Sequence, residues 1–261
     1  MFRRARVRDA TDIVALIQSS FELYHLDKII YGCRGVVLFL ERQLALRQEL
    51  SDVSVYVAHD GTKVIAVAQF KKIRASGIYY LDYICTDSRF RGGGVGAGLL
   101  RYALSSESFD YSQVALDVFE HNTSAALWYK SLGFEERFEK KWAKIEIYSQ
   151  EGGAGYIANL PQAIASFESY GFAQLTVSTD AKNYQVGLLG DGYYRLGDNQ
   201  VFSDTQAINA LLEFDPHREF LLIVDEMPIV EAAAVNQFAK TINMLIDAKR
   251  LRTSLGIQNG H

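Results

Sequence analysis

The sequence predicts an α/β fold followed by a smaller α+β domain. Three observations lead to this prediction. Apolar residues at helical spacing alternate with strand-like runs over about the first 148 residues, in the order ααβββαβαβ. A glycine-rich loop, Arg91–Gly98, joins one of these strands to the helix after it. A second glycine-rich stretch, Glu151–Gly155, is typical of a linker and divides the chain into domains 1–149 and 150–261.

The first domain begins with two predicted helices, Asp12–Ser20 and Val36–Glu49, whose apolar residues recur every three or four positions. Two strands follow, and the Asp60-Gly61 pair between them is typical of a hairpin turn. Strands and helices alternate after that. The predicted strands are Val53–Val57, Val64–Phe70, Ile78–Cys85, Val114–Phe119 and Trp142–Tyr148, and the later helices are the one after the glycine loop and Thr123–Ser131.

The second domain mixes strands and helices in another order. Its predicted strands are Phe172–Ser178, Tyr184–Leu189, Tyr193–Leu196 and Phe220–Val224, and its predicted helices are Pro161–Tyr170, Asp204–Phe214 and Ile229–Arg250. The apolar face of the long terminal helix carries Val235, Phe238, Ile242 and Leu245. The domain is expected to cover the acceptor site and select the substrate, to form a homodimer through this face, or to stabilise the first domain.

Composition limits the class of protein. The chain has 261 residues, of which 49% are hydrophobic, and a net charge of −4. This balance gives no general attraction to nucleic acid, and no apolar run is long enough to cross a membrane. The two cysteines, Cys33 and Cys85, indicate neither a disulfide framework nor a cysteine-rich metal site. We therefore expect a globular cytoplasmic protein that binds no metal, nucleic acid or membrane.

The glycine loop has the features of a phosphate-binding site. Glycines allow backbone N–H groups to converge on one point, and the N-terminus of the following helix adds partial positive charge. No Gly-Lys-Ser/Thr ends the loop, which argues against an NTPase. Gly92, Gly94 and Ala97 match a dinucleotide fingerprint, with Asp117 or Glu120 downstream, but that fingerprint normally follows the first strand, and several predicted strands precede this loop.

Two blocks of the sequence resemble the GCN5-related N-acetyltransferase (GNAT) superfamily. Arg91-x-x-Gly94-x-Gly96 is similar to the loop with which that family binds the pyrophosphate of acetyl-CoA. The stretch from Asn122 to Phe134 is similar to the family's Asn-x-x-Ala-x-x-x-Tyr-x-x-x-Gly-Phe helix. The resemblance covers about residues 2–148 and implies a mixed central sheet flanked by helices. The C-terminal domain has no recognised relative, although Phe167-x-x-x-Gly171-Phe172 echoes the end of the second block and would fit a degenerate half of the same kind.

The resemblance implies a set of contacts with acetyl-CoA, which is the co-substrate of this family. Backbone amides of the glycine loop would face the pyrophosphate, and the arginine before them would add charge or order the loop. Amides of the preceding strand would bind the pantetheine arm, as would the asparagine that opens the second block. The implied residues are Ile84, Thr86, Arg91, Gly92, Gly93, Gly94, Val95, Gly96 and Asn122.

The resemblance also implies catalytic roles. Tyr129 matches the family tyrosine that protonates the leaving thiolate, and a phenol is a proton donor at neutral pH. A base is expected on the strand before the loop, where Tyr80, Asp82 and Ile84 alternate onto one face. Asp82 is the candidate, either directly or through water. Asp117 and Glu120 are weaker candidates for the same role.

The acceptor amine is expected to lie near the segment between the first two helices. This segment mixes polar and aromatic residues that suit a small cationic or zwitterionic amine. The candidate acceptor contacts are Tyr24, His25, Tyr80 and Glu120. The resulting hypothesis is an N-acetyltransferase that moves an acetyl group from acetyl-CoA to a primary amine of a small molecule. The alternative is a CoA-binding regulatory or scaffolding protein without turnover.

Overall fold

The computed structural model describes residues 1–148, 151–227 and 234–257. The strands, in chain order, are β1 (Phe2–Arg4), β2 (Val53–His59), β3 (Val64–Ile73), β4 (Ile78–Thr86), β5 (Gln113–Phe119), β6 (Glu135–Glu146), β7 (Tyr156–Ile157), β8 (Phe172–Ser178), β9 (Asn183–Leu189), β10 (Tyr193–Leu196), β11 (Glu219–Val224) and β12 (Ala234–Asp247). The helices are α1 (Ala10–Gln18), α2 (Leu23–Leu26), α3 (Val36–Ala45), α4 (Val95–Ser106), α5 (Thr123–Ser131), α6 (Leu160–Tyr170), α7 (Thr205–Phe214) and α8 (Ala248–Ser254).

The predicted α/β class with a mixed sheet flanked by helices is confirmed. Most predicted elements lie within a few residues of the observed ones, and α5, β8 and β10 have the predicted bounds. The hairpin between β2 and β3 also forms where expected. Asp60 Oδ1 accepts hydrogen bonds from the backbone N–H groups of Thr62 and Lys63 there, and Gly61 takes a φ of 114°.

The predicted terminal helix Ile229–Arg250 is wrong over residues 234–247. Residues 234–247 form β12, and only Ala248–Ser254 are helical; residues 229–233 lie outside the described residues. The segment contains good helix formers at helical spacing, but sheet neighbours override that weak local preference. The apolar helical face that suggested a homodimer is therefore not present, since those four residues lie along a strand.

The chain folds into two compact units that do not follow a single division at residue 149. Unit 1 comprises residues 1–22, 37–138 and 242 onward, and unit 2 comprises residues 23–36 and 139–241. The physical reason is that two strands, β6 and β12, each contribute residues to both units. β6 gives its first four residues to unit 1 and the rest to unit 2, whereas β12 gives unit 2 its first eight residues, 234–241, and unit 1 its last six, 242–247.

Unit 1 carries strands in the order β1-β2-β3-β4-β5-β12. Neighbours from β1 to β4 are antiparallel, whereas β4 and β5 are parallel, as expected for strands joined by the crossover helix α4. Helix α1 packs against β3 and β4. The main apolar cluster combines residues of the sheet with α4, α5 and α8, among them Leu99, Leu100 and Leu251.

Unit 2 has its own apolar core. Strands β6, β11, β10, β9, β8 and β7 are neighbours in that order, with β10 and β11 parallel and the pairs from β7 to β10 antiparallel. Helix α6 packs on β8, and α7 connects the region after β10 to β11. The antiparallel strands, the crossover helix and the parallel pair thus follow one another in the same succession as in unit 1.

One carboxylate ties the far end of α4 to the sheet of unit 1. The Glu107 side chain is fully buried and accepts hydrogen bonds from Ser54 Oγ (2.6 Å), Tyr79 Oη (3.1 Å) and Tyr56 Oη (3.2 Å). The ammonium of buried Lys72 lies 3.2 Å from it. These donors outweigh the cost of burial and lower the pKa of Glu107 to about 2.

Glu107→Gln tests this cluster. It leaves the Lys72 ammonium buried without its counter-charge, so we expect a loss of about 3 kcal/mol in the free energy of unfolding at pH 7. A carboxyl whose pKa is lowered in the folded state stabilises it above the unfolded pKa, which is 4.5 for Glu. The stability difference between wild type and variant should therefore shrink as pH falls from 4.5 toward 2.

Urea unfolding at pH 7 and pH 3 measures both effects. Glu135→Gln is the matched control, because Glu135 pairs with Arg250 on the surface, where both side chains are more than half exposed. That control should cost less than about 1 kcal/mol at either pH. An equally small effect of Glu107→Gln would show that the cluster does not stabilise unit 1.

A fragment ending at Ser149 is predicted not to fold. It lacks Met244, Ile246, Leu251 and Leu255, each at most 4% exposed in the core of unit 1. Burial of each contributes about 2 kcal/mol, and together they approach the whole stability of a typical domain. We expect circular dichroism to show no cooperative thermal transition for the fragment. Adding residues 150–261 as a second chain should restore the transition. A fragment that melts cooperatively alone would contradict the assignment of residues 242 onward to unit 1.

Candidate active site

The glycine loop lies between the end of β4 and the start of α4. Gly94 is the residue before the helix and takes a φ of +76°, and Gly92 takes a φ of +78°. Side chains are strained in this left-handed region, so the chain path itself requires glycine at both positions. Gly98 has a different role. A Cβ there would lie 2.6 Å from Phe2 Cζ, so this glycine allows β1 to approach the helix.

The N-terminus of α4 is open. No side chain caps it, and the first N–H group that bonds a carbonyl of the helix is that of Gly98, which donates to Gly94 at 2.9 Å. The preceding N–H groups of Val95, Gly96 and Ala97 have no carbonyl one helical turn earlier to bind. The glycines from 92 to 94 are exposed. This end of the helix therefore presents amide donors and partial positive charge to solvent, which is the arrangement that binds phosphate groups.

The arginine before the glycines orders the loop. Arg91 Nε donates to the backbone oxygen of Thr86 at 2.9 Å, which joins the loop back to the end of β4. A second pair closes the turn between them, where Arg89 Nη2 lies 2.6 Å from Asp87 Oδ2. The Arg89 guanidinium lowers the pKa of Asp87, so that carboxylate is ionised and engaged beside the loop.

The sheet of unit 1 opens directly below this loop. Parallel pairing of β4 with β5 runs from Ile78 opposite Gln113 to Leu81 opposite Leu116 and ends there. Beyond Leu81 the strand pairs only with β3 among the described residues, with Ile84 opposite Ala68 and Thr86 opposite Ala66. The edge of β4 that carries Ile84 and Thr86 is therefore open on the β5 side. We call this opening the split.

A β-bulge lies at the split and changes the predicted alternation of β4. Leu81 pairs with Phe70 and Tyr83 pairs with Gln69, so Asp82 is an extra residue without a counterpart on β3. The extra residue reverses the alternation. Ile84 shares its face with Ala68 of the main core, whereas Tyr80 precedes the bulge on the opposite face. The prediction that Tyr80 and Ile84 share a face is wrong for this reason.

Tyr129 projects from α5 into the core of unit 1. It is 6% exposed, with its ring centroid 5.0 Å from that of Trp128 and 5.7 Å from that of Phe134. Burial raises the pKa of Tyr129, so the phenol carries its proton at neutral pH.

Two carboxylates flank the split. Asp82 and Asp117 are the first residues after the last pair of β4 and β5. Burial raises the pKa of Tyr80, and the negative charges of Asp117 and Asp82 raise it further. The Tyr80 phenol therefore keeps its proton at neutral pH. Asn243 of β12 donates to Asp117 Oδ1 at 2.8 Å.

Asn243 is the residue of this group that sequence reasoning missed. It lies 126 positions after Asp117, in the segment predicted as helix. Nothing in the local pattern around it indicates a role beside the loop or the split. The sequence did supply Tyr80, Asp82 and Asp117, and the structure brings these three together.

The other predicted site residues have separate places. Asn122 caps α5, with its side-chain oxygen accepting from Ala125 N at 3.2 Å. Glu120 is exposed just beyond the end of β5. Burial raises the pKa of the Cys85 thiol to about 11 and keeps it in the neutral form. Tyr24 and His25 belong to unit 2, whereas the glycine loop and Tyr129 belong to unit 1.

Within unit 2, Tyr24 covers a buried lysine. Lys28 is 1% exposed, and its Nζ lies 3.9 Å from the centre of the Tyr24 ring and 5.4 Å from that of Phe238. Its ammonium also bonds Asp27 Oδ1 at 2.7 Å. His25 is 7% exposed, and its ring lies edge to face with Tyr24. The aromatic residues of this segment therefore enclose a cation of the chain itself.

The crossover helix of unit 2 has the opposite arrangement at its N-terminus. Asp204 caps α7, and its Oδ1 accepts from the backbone N–H groups of Gln206 and Ala207 at 3.1 and 3.3 Å. Thr179 Oγ1 donates to the other oxygen at 2.7 Å. A carboxylate thus occupies the position at which an anion would bind, and we expect unit 2 to hold no pyrophosphate there.

No group of three or more His, Cys, Asp or Glu residues within 1–148, 151–227 and 234–257 has the geometry of a metal site. None of the helices in the same ranges is both long and apolar enough to span a bilayer.

Comparisons with known proteins add the family. A family model described as an acetyltransferase (GNAT) domain matches residues 51–136. None of the curated proteins compared with the sequence matches it significantly. A solved tandem GNAT protein from the clavulanic acid biosynthesis pathway is 11% identical, with 95% of this chain and 98% of that chain covered and a TM-score of 0.61.

Two further solved structures share the fold over nearly the whole chain. A putative acetyltransferase from Pyrococcus horikoshii is 14% identical, with coverage of 95% and 89% and a TM-score of 0.61. One from Thermoplasma acidophilum is 14% identical, with coverage of 95% and 99% and a TM-score of 0.51. The fold is therefore that of GNAT proteins, and the stretch from residue 51 to residue 136, which carries the glycine loop and Tyr129, belongs to the GNAT acetyltransferase family.

Proposed function

We propose that the protein is an N-acetyltransferase that moves an acetyl group from acetyl-CoA to a primary amine of a small molecule. The transfer would occur by direct attack in a ternary complex. The observation that carries the proposal is the open N-terminus of α4, which lies next to the split between β4 and β5. Amide donors for a pyrophosphate and an unpaired strand edge for an extended arm are thus adjacent in one unit.

The proposed acetyl-CoA contacts follow this geometry. Amides of Gly92, Gly93, Gly94, Val95 and Gly96 bind the pyrophosphate, with Arg91 holding the loop to Thr86. The open edge of β4 at Ile84 and Thr86 offers backbone groups to the pantetheine arm in the manner of an added strand. Asn122 contacts the arm from the start of α5. Its carbonyl oxygen caps the helix, which leaves its NH₂ group for this contact.

The proposed chemistry assigns two proton transfers. Asp82, directly or through water, takes a proton from the acceptor ammonium and passes it to solvent, so that the neutral amine forms a bond to the thioester carbon. The carbon–sulfur bond then breaks, and Tyr129 donates its proton to the departing thiolate. The second proton lost by the nitrogen restores Tyr129 through water. The products are the amide and CoA thiol, with one proton released.

A cytoplasmic setting accompanies the proposal. Cys33 and Cys85 are both buried thiols without a disulfide, as is usual for proteins of a reducing compartment. Acetyl-CoA is available there.

A thiol-release assay tests the function. Acetyl-CoA and propionyl-CoA are offered with a panel of polyamines, amino acids, aminoglycosides and peptides, beside calorimetry for CoA binding. Release that depends on one class of acceptor supports the transferase and names that class. Tight CoA binding without release on any acceptor would favour the regulatory or scaffolding alternative, and absence of CoA binding would overturn both.

Tyr129→Phe tests the proposed acid. The ring keeps its contacts with Trp128 and Phe134, so we expect unchanged CoA affinity and an unchanged melting temperature. Loss of the proton donor should lower kcat about 100-fold. Tyr102→Phe is the control, since Tyr102 packs against the same core. Equal kcat for wild type and Tyr129→Phe would exclude Tyr129 as the essential acid.

Gly96→Asp tests the anion site. A carboxylate in the first turn favours the helix through its dipole, and a Cβ at this position meets only ordinary contact, 3.5 Å from Thr86 Oγ1. We therefore expect unchanged or higher thermal stability. The same charge repels pyrophosphate and should raise the Kd for CoA by roughly 10- to 100-fold.

Gly96→Asn separates charge from size, because the two side chains have nearly the same shape. Calorimetry should show that Asn weakens CoA binding far less than Asp does. Equal Kd values for wild type and Gly96→Asp would place the pyrophosphate elsewhere.

A further inference from the structure

The glycines of the loop carry no formal charge. Residues 92–98 have no ionisable side chain, so the open end of α4 offers amide donors and the partial charge of the helix dipole. Arg91 lies just before them and directs its Nε to the backbone oxygen of Thr86 at 2.9 Å. CoA carries, besides its pyrophosphate, a phosphate monoester on the 3′ oxygen of its ribose. Any full positive charge that binds this second phosphate must therefore come from side chains that flank the loop.

Two basic side chains share one carboxylate at the start of the loop. Asp87 is the first residue after β4, and its Oδ1 and Oδ2 lie 3.1 and 2.6 Å from Nε and Nη2 of Arg89. The Nζ of Lys63, from the turn before β3, lies 3.5 Å from the same Oδ2. We call Lys63, Asp87 and Arg89 the basic cluster. Its two cations and one carboxylate leave an excess of positive charge.

The basic cluster exposes its cations more than its carboxylate. The Asp87 side chain is 16% exposed, against 64% for Arg89 and 42% for Lys63. The backbone also fixes Asp87, whose N–H group donates to the backbone oxygen of Ile65 on β3 at 2.9 Å. A guanidinium that forms two bonds with one carboxylate keeps N–H donors on its other edge, and this planar fork suits phosphate oxygens. The cluster therefore presents oriented positive charge to solvent beside the glycine loop.

We propose that the basic cluster binds the 3′-phosphate of CoA, so that the protein selects CoA over 3′-dephospho-CoA. The inference rests on the proposed function for the identity of the ligand. It separates two anion sites at one loop. Amides of residues 92–96 bind the pyrophosphate, and the cluster binds the phosphate monoester, which carries more than one negative charge at pH 7. Arg89 supplies directed hydrogen bonds, Lys63 supplies the excess charge, and Asp87 holds both in place.

Calorimetry with CoA and with 3′-dephospho-CoA tests the site on the full chain. Hydrogen bonds between charged groups are strong, so the wild type should bind CoA on the order of 10- to 100-fold more tightly than 3′-dephospho-CoA. Arg89→Gln removes the guanidinium and should lower this ratio about 10-fold. The Kd for 3′-dephospho-CoA should change by less than about threefold, because salt screens the longer-range effect of the lost charge on the pyrophosphate.

Two further variants complete the design. Lys63→Gln lowers the charge of the cluster but keeps the guanidinium, so it should reduce the ratio by less than Arg89→Gln does. Arg74→Gln is the matched control, because Arg74 also pairs with an aspartate in unit 1, with its Nε 2.7 Å from Asp52 Oδ1 and both side chains more than half exposed. It should leave the ratio unchanged. Exposed ion pairs contribute little to stability, so all three variants should keep the wild-type melting temperature.

The outcomes distinguish this inference from the proposed function. A wild-type chain that binds neither ligand overturns both. A wild-type chain that binds the two ligands with the same Kd overturns the inference alone, as does a preference for CoA that persists unchanged in both Arg89→Gln and Lys63→Gln. An equal loss of preference in Arg74→Gln would also overturn it, since net charge rather than the cluster would then set the preference. Should Arg89→Gln fail to fold, Lys63→Gln still decides the question.

Discussion

The uncapped start of α4 is the constraint around which unit 1 is organised. A helix that leaves its first N–H groups without partners is less stable at that end, and exposure to solvent or an anion must satisfy them. The rest of α4 compensates for this. Leu99, Leu100, Ala103 and Leu104 are at most 1% exposed in the core, and Glu107 beyond the last turn is bonded to the sheet. The helix is thus fixed along its length and open only at the loop.

The two units share the same order of strands and crossover helix but differ in the charge at the start of that helix. Each has antiparallel strands followed by a crossover helix and a parallel strand pair. In unit 1 the crossover helix begins after a glycine loop with free amides, whereas in unit 2 it begins at the carboxylate of Asp204. Partial positive charge is available to an anion in the first case and neutralised internally in the second. Under the proposed function, the difference between one aspartate and one glycine at a helix start would determine which unit binds phosphate.

Patterns among neighbouring residues predicted most of the fold. Features that depend on contacts between distant residues could not be predicted from the sequence. The hairpin at Asp60-Gly61, the helix after Asn122 and the cap at Asp204 are set by neighbouring residues, so a single sequence reveals them. The strand β12 was predicted as a helix because only its sheet neighbours determine its state. The bulge at Asp82 leaves no mark in the alternation of β4, and Asn243 meets Asp117 only through tertiary structure. The loop and Tyr129 of the site were thus predictable, whereas the setting of its carboxylates was not.

The stoichiometry of CoA binding to the full chain tests the central claim most directly. Isothermal titration calorimetry measures it without knowledge of the acceptor. One molecule of CoA per chain is predicted, because only the crossover helix of unit 1 has an open N-terminus. Two molecules per chain would contradict the role given to Asp204, and no binding would contradict the role given to the glycine loop.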